Sequence, residues 1–183
     1  MRIYLAGPDV FLPAAARRGA ALKKACAHFG HEGVWPLDPP PQAPAAWAAL
    51  PEPRRIALGN EAHIRSCQAL VANLTPFRGP NADPGTAFEI GFARMLGLKL
   101  AGWTNDPRCL ATRTRAWLGP AARRDGDAWR DDEGLLVEDF GLTENLMLEG
   151  AILASGGFIA RAETGARCRW DDLAAFERCL AAL

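Results

Sequence analysis

The run Asp83-Pro84-Gly85-Thr86-Ala87-Phe88-Glu89-Ile90-Gly91 holds the densest chemistry in the chain. Aspartate before proline is the pattern of a helix N-cap with proline at the first helical position. Glu89 then falls in the second turn, between the bulky apolar Phe88 and Ile90. An acid so placed, near the carboxyl end of a strand, is a candidate nucleophile or base. The helix dipole favours its ionised form by only about 0.3–1 kcal/mol. Gly85 lets a ligand approach the backbone closely. Gly91 inside a helix costs about 1 kcal/mol against alanine, which predicts a packing reason. The plainer readings make Asp83 a cap and Glu89 a helix-surface carboxylate. On the residues alone both remain open.

These residues need a scaffold, and the chain supplies alternating short apolar runs and helical segments. Residues 2–6 read as a strand ended by Gly7-Pro8, and 33–37 and 69–74 as two more. A fourth strand is expected at 98–103. Helices are expected over 13–29, 54–67, 85–96, 144–154 and 171–183. In the first, Leu12, Ala16 and Ala20 fall at helical spacing; in the second, Ile56 and Ile64 stand eight apart. Strands alternating with helices imply crossovers and a parallel sheet. The expected fold is α/β, one doubly wound, flavodoxin-like domain over 1–183 with about five parallel strands. Its ligands would bind beyond the carboxyl ends of the strands, at the loops after Ala6, Leu37, Leu74 and Trp103.

Two stretches depart from the alternation. Residues 36–53 hold seven of the 14 prolines, with Trp47 among them. That is a functional lid or a dispensable surface insertion. Residues 104–134 hold six arginines followed by Asp125, Asp127, Asp131, Asp132 and Glu133. As a calcium loop this run fails, because the required glycine position is Arg130 and no glutamate closes it. It reads as a solvated polar insertion.

Composition narrows the classes further. The chain has 183 residues, 21 Lys+Arg against 21 Asp+Glu, and 49% hydrophobic residues. A domain of this size buries roughly 70% of its unfolded surface, so it needs no staple. The balanced charge excludes a strongly basic nucleic-acid binder. No run reaches the roughly 20 apolar residues that span a bilayer, and the N-terminal run is too soon broken for a signal peptide. A cytoplasmic protein is expected. Cys26, Cys67, Cys109, Cys168 and Cys179 are scattered and odd in number, which argues against a zinc site or disulfide framework. Cys26-x-His28-x-x-His31 is a loose metal spacing at a helix end and reads as structural, as does His63. The first loop lacks G-x-G-x-x-G, so no dinucleotide is expected.

Along most of its length the chain resembles the nucleoside 2-deoxyribosyltransferase family. The resemblance rests on Ile3-Tyr4-Leu5-Ala6-Gly7-Pro8-Asp9-Val10-Phe11, on Ala72 to Gly79 with Asp83-x-Gly85-Thr86-x-Phe88-Glu89-x-Gly91, and on Glu138-Asp139-Phe140-Gly141 with Asn145-Leu146-Met147. The motifs stand in the family's order at roughly its spacing. The resemblance implies transfer of a 2-deoxyribosyl group between nucleobases by a retaining double displacement, without metal or cofactor. Glu89 matches the nucleophile, and Tyr4, the only tyrosine, a residue that orients it. Asp83 matches an acid that contacts the base. Asn60 aligns loosely with another base-contacting acid, although an asparagine cannot deliver a proton. Asn145 matches a residue reaching the 5′-hydroxyl of a neighbouring subunit's substrate, with Met147 packed nearby. Asp9 and Phe11 would be pocket walls.

The expected partners are therefore 2′-deoxynucleosides and free nucleobases, purines favoured, with neither nucleic acid nor membrane. A homo-oligomer, a dimer at least and a hexamer by resemblance, would share its active sites. Three rivals remain. One is a deoxynucleoside or nucleotide hydrolase using the same glutamate. Another is a phosphoribohydrolase of the cytokinin-activating type, disfavoured because Ala82-Asp83-Pro84 stands where that type has Gly-Gly. The last is a non-catalytic nucleoside-binding module.

Overall fold

A computed structural model describes residues 1–41, 43–163 and 170–183. Its centre is one parallel sheet of five strands, β1 (Arg2–Ala6), β2 (Glu32–Val34), β3 (Ala69–Asn73), β4 (Lys99–Thr104) and, later in the chain, β7 (Ile159–Arg161). Their spatial order is β2-β1-β3-β4-β7, and every neighbouring pair is parallel. This is the flavodoxin-like order, whose switch point lies between β1 and β3. The doubly wound α/β fold expected from the alternation is what the chain forms.

Side-chain alternation decides which layer each residue serves. Ile3 and Leu5 point into a core with α1 (Ala15–His28) and α6 (Ala174–Ala181). Tyr4 and Ala6 point the other way, into a core shared with α2 (Glu52–Arg65), α3 (Pro84–Met95) and α5 (Leu146–Ala154). β1, β3 and the inner part of β4 are buried on both faces, as sandwiched parallel strands must be. Gly7 follows β1 with φ +150°, and a Cβ there would lie 2.6 Å from Asn73 Cβ. Glycine therefore lets the loop after β1 lie directly against the end of β3.

Several expectations shift register. The stripe Leu12, Ala16, Ala20 of the first helix faces outward; α1 buries Arg18, Gly19, Leu22, Ala25 and Cys26 instead. Ile64 is fully buried but Ile56 is 53% exposed, because eight residues drift about 80° around a helix. Gly91 shows no packing reason among the described residues: a Cβ there meets none of them within 4 Å. β7 was not expected, being three residues paired on one side after the turn-like Gly156-Gly157. Residues 104–134 contain α4 (Leu110–Leu118) and an antiparallel hairpin of β5 (Arg123–Asp125) and β6 (Ala128–Arg130). The hairpin carries solvated charges, but α4 buries Leu110, Ala111 and Arg113.

The packing of α1 yields a test. A Cβ on Gly19 would lie 2.8–2.9 Å from the buried Trp35 indole. Alanine gains about 1 kcal/mol of helix propensity while overpacking costs about 1–3 kcal/mol. Gly19→Ala is expected to lower the urea midpoint despite alanine's better propensity, and a raised midpoint would refute this packing.

Candidate active site

The helix that carries Glu89 is built by its own first residues. Asp83 caps α3, its Oδ2 accepting from Thr86 N at 2.9 Å and Thr86 Oγ1 at 3.1 Å, and Pro84 takes the first turn. That start sets the phase, so Thr86, Glu89, Ile90 and Ala93 face inward. Glu89 is thus no surface carboxylate: it is 9% exposed and lies on the inner face of α3.

Two elements meet it there. Tyr4, from the middle of β1, donates its hydroxyl to Glu89 Oε1 at 2.6 Å. Asn60, from α2, donates to the same oxygen at a longer 3.4 Å. Burial pushes the Glu89 carboxyl up to about 7, the Tyr4 hydrogen bond opposes it, the Asp83 charge adds to it and the Asn60 bond opposes it. Burial also pushes the Tyr4 phenol up, helped by the Glu89 charge, so tyrosine stays a donor. A carboxyl of this kind is partly ionised at neutral pH and can act as nucleophile or as proton carrier.

The remaining sequence candidates fall into distinct places. Asp83, Phe11 and Asn145 line one cavity of about 700 Å³, closed by Trp117, Leu136 and Glu138. Glu89 does not line it; Asp83, which does, acts on Glu89 by its charge. Phe11 stacks on Phe77 with centroids 5.2 Å apart, and the Arg78 guanidinium lies over both rings. Gly85 leaves bare backbone beside the Asp83 carboxylate, where a Cβ would come within 3.0 Å of Oδ2. Asn145 caps α5, accepting from Met147 N at 3.0 Å and donating to Glu138 at 2.8 Å. Met147 itself is 71% exposed. Asp9 is buried, its carboxylate taken by Arg18 at 2.7 Å and Asn73 at 2.7 Å. It braces the loop after β1 rather than offering a free acid.

The proline-rich stretch packs along α2. Trp47, Pro40 and Pro44 form an apolar groove of about 550 Å³ with Ile56, Gly59, Asn60 and His63. The Glu89 carboxylate therefore neighbours two hollows, one through Asp83 and one through Asn60. Among the described residues no cluster of three or more His, Cys, Asp or Glu could hold a metal, and Cys168 lies outside them. No helix among the described residues is long and apolar enough to cross a membrane.

Sequence reasoning missed the buried ion pair of Arg113 and Glu144 behind the cavity, at 2.8 Å. It also gave Glu138 no role, although Glu138 accepts from both Asn145 Nδ2 and Leu146 N. Glu144 and Glu138 stand within or beside the third motif, which was the signal available. Nothing in the polar run around Arg113 marks it as buried.

A doubly wound parallel sheet with a buried, tyrosine-bound carboxylate beside its switch point defines an α/β protein equipped for carboxylate chemistry. The chain belongs to the nucleoside 2-deoxyribosyltransferase family, whose profile matches residues 3–147. The family acts on the glycosidic bond of nucleosides and binds nucleosides and nucleobases. An uncharacterized protein of Schizosaccharomyces pombe is 37% identical over 172 residues, covering 86% of this chain and 80% of its own. The 2-desoxiribosyltransferase from Leishmania mexicana superposes with a TM-score of 0.62 at 29% identity, over 98% of this chain and 96% of its own. A conserved protein from Enterococcus faecalis V583 shares the fold, with a TM-score of 0.55 at 22% identity over 89% of this chain and 92% of its own.

Glu89 makes a stability prediction free of any assumption about function. Its folded value of about 7 exceeds the ordinary 4.5, so folding favours the protonated form. The penalty is absent below pH 4.5, grows as pH rises and is complete above 7. A shift of that size corresponds to about 3 kcal/mol at most. Glu89→Gln is therefore expected to unfold at higher urea than wild type at pH 8, with the gap closing at pH 4.5. Equal stability at pH 8 would contradict the burial described.

Proposed function

We propose that this protein transfers a 2-deoxyribosyl group between nucleobases through a covalent Glu89–deoxyribose ester. The observation that carries the reading is the 2.6 Å bond from Tyr4 to a buried Glu89 carboxylate. In the first half-reaction a Glu89 oxygen attacks C1′ of a 2′-deoxynucleoside. The C1′–N bond breaks and its electron pair leaves with the base. In the second, a ring nitrogen of the incoming base attacks C1′ and expels the carboxylate. Two inversions give net retention.

Tyr4 and Asn60 both hold Oε1, which leaves Oε2 as the attacking atom. They also favour the ionised form that burial opposes. Asp83 caps through Oδ2 alone among the described residues, so Oδ1 is open to a base. Asn60 offers the base an amide but no acid, so Asp83 is the group that manages the leaving-group proton. The proline-rich stretch 36–53 acts as a lid over the Asn60 side. Purines are the favoured bases, and the setting is nucleoside salvage in the cytoplasm.

The working unit in this proposal is a homo-oligomer, a dimer at least. Phe88 and Met95 on α3 and Met147 and Leu153 on α5 are large apolar side chains left exposed on two packed helices. Gly91 and Gly150 lie among them with open space where a side chain would be. Such a face calls for a covering partner, and a second copy would bring its Asn145 and Met147 to the same neighbourhood as Glu89.

Four measurements check this. With deoxyinosine and adenine, deoxyadenosine is expected to form much faster than free deoxyribose; deoxyribose alone would make the protein a hydrolase. A 2′-fluorinated deoxynucleoside should add a sugar mass to the peptide containing Glu89, and a label elsewhere would remove the nucleophile. The acid limb of kcat/KM should lie near pH 7, tenfold per unit below it, because the carboxylate is the reactive form. Tyr4→Phe removes a bond that lowers the Glu89 value, so this limb should move to higher pH. Met95→Glu combined with Leu153→Glu should convert an oligomer to a monomer in sedimentation; a monomeric wild type would end the shared-site proposal.

A further inference from the structure

The Arg113–Glu144 pair lies outside the reacting group yet joins three of the segments that line the cavity beside it: residues 80–82, α4 and Asn145. Glu144 is 0% and Arg113 2% exposed by side chain. Glu144 Oε2 accepts from Arg113 Nη2 at 2.8 Å and from the backbone of Ala82 at 3.1 Å. Its Oε1 accepts from Asn81 Nδ2 at 3.3 Å and from the backbone of Asn145 at 3.1 Å. Arg113 Nε donates to the carbonyl of Pro80 at 2.9 Å, and Nη1 to that of Arg108 at 3.0 Å. One carboxylate thus holds the residue just before Asp83 and the amide of Asn145 itself. The guanidinium ties both to α4.

A buried ion pair is weak evidence for stability, because desolvation consumes most of the attraction. Two apolar residues of similar volume would fill the space but leave the amides of Ala82 and Asn145 and the carbonyls of Pro80 and Arg108 without these bonds. What they would lack is direction: four donors converging on two oxygens define where the caps of α3 and α5 sit relative to each other. Those caps are Asp83 and Asn145, and both line the cavity. We infer that Arg113 and Glu144 are a positioning pair, which sets the separation of Asp83 and Asn145 and so the fit of the nucleoside. The inference rests on the functional reading above. It also makes the arginine-rich stretch a working part of the site rather than a surface insertion.

The pair acts on binding geometry and leaves the Tyr4–Asn60–Glu89 contacts alone. Its loss should therefore raise KM without raising the acid limb of the rate profile, since an Asp83 less firmly held beside Glu89 can only relax the charge that lifts that carboxyl. The test combines Arg113→Met with Glu144→Leu, which keeps the volume apolar, and sets beside it Arg113→Lys, which keeps the charge but reaches only one of three acceptors. Both are compared with wild type by thermal unfolding, by KM for deoxyinosine, by the pH profile, and by hydrogen exchange of peptides covering residues 81–83 and 144–146.

The expected result is a cooperatively folded variant with KM raised at least tenfold, an acid limb at or below pH 7, and faster exchange in both peptides together. If the double variant does not fold, Arg113→Lys gives the same readings with a smaller rise in KM. Wild-type KM in a folded variant would overturn the proposal. So would faster exchange in one peptide only, or an acid limb that rises with KM. Exchange is measured without turnover. Wild-type protein that neither transfers nor hydrolyses would defeat the functional reading, while joint exchange would still support the clamp and separate exchange would still refute it.

Discussion

Withdrawing a carboxylate from water is the constraint around which the rest of this molecule is arranged. The penalty for the charged form is several kcal/mol unless donors answer it. Here the answers are incomplete by construction: one phenol at 2.6 Å, one distant amide, and an aspartate of the same sign nearby. The result is an acid near 7 rather than near 4.5. Supplying that phenol takes a tyrosine on the inner strand of a sheet, pointed by strand alternation into the α2–α3 layer. Supplying the amide takes a helix after β2 that crosses above the same strand. The order β2-β1-β3 is what brings both beside the helix after β3.

Much of this was legible. Local apolar runs bounded by Gly and Pro located β1, β3 and β4, and Asp83-Pro84 located the start of α3 to within a residue. Parallel pairing followed from alternation, and the family's profile agrees with the motifs that suggested it. The inward phase of Glu89 was not legible: Phe88 and Ile90 flank it equally, and only the packing of α3 on the sheet decides which faces inward. Phe88 proves exposed and Ile90 buried.

What stayed hidden shares one cause. Arg113 and Glu144 stand 31 residues apart, and each is unremarkable among its neighbours. In a run of six arginines an isolated buried one has no signature, because burial of a charge depends on a partner that only the fold supplies. Arg18 with Asp9 is a second case: an arginine amid an Ala-rich helix proves buried against the first loop. Hydrophobic patterning reads the apolar burial of the strands and is silent on charged burial, so a site held by buried ion pairs is underestimated from sequence.

The carboxylate's surroundings also bear on the choice between transfer and hydrolysis. Water is present at roughly 55 M and a free base at roughly millimolar, so equal reactivity would let water win by about 10⁴–10⁵. A preference of about 6–7 kcal/mol for the base is needed to reverse that. Removing one ordered water gains far too little, so in the proposed transfer the preference would come from keeping the Glu89 ester dry and from contacts only a flat heterocycle can make. The hollows reached from Glu89 through Asp83 and Asn60 are lined by Phe11 and Trp117 on one side and Trp47 and Pro40 on the other. Neither hollow by itself covers a sugar ester at Glu89, whereas a second subunit on the α3–α5 face would close the exposed side next to Phe88. Oligomerisation would then contribute to the reaction by excluding water as much as by lending Asn145. A chain that transfers as an oligomer should hydrolyse when its protomers are separated.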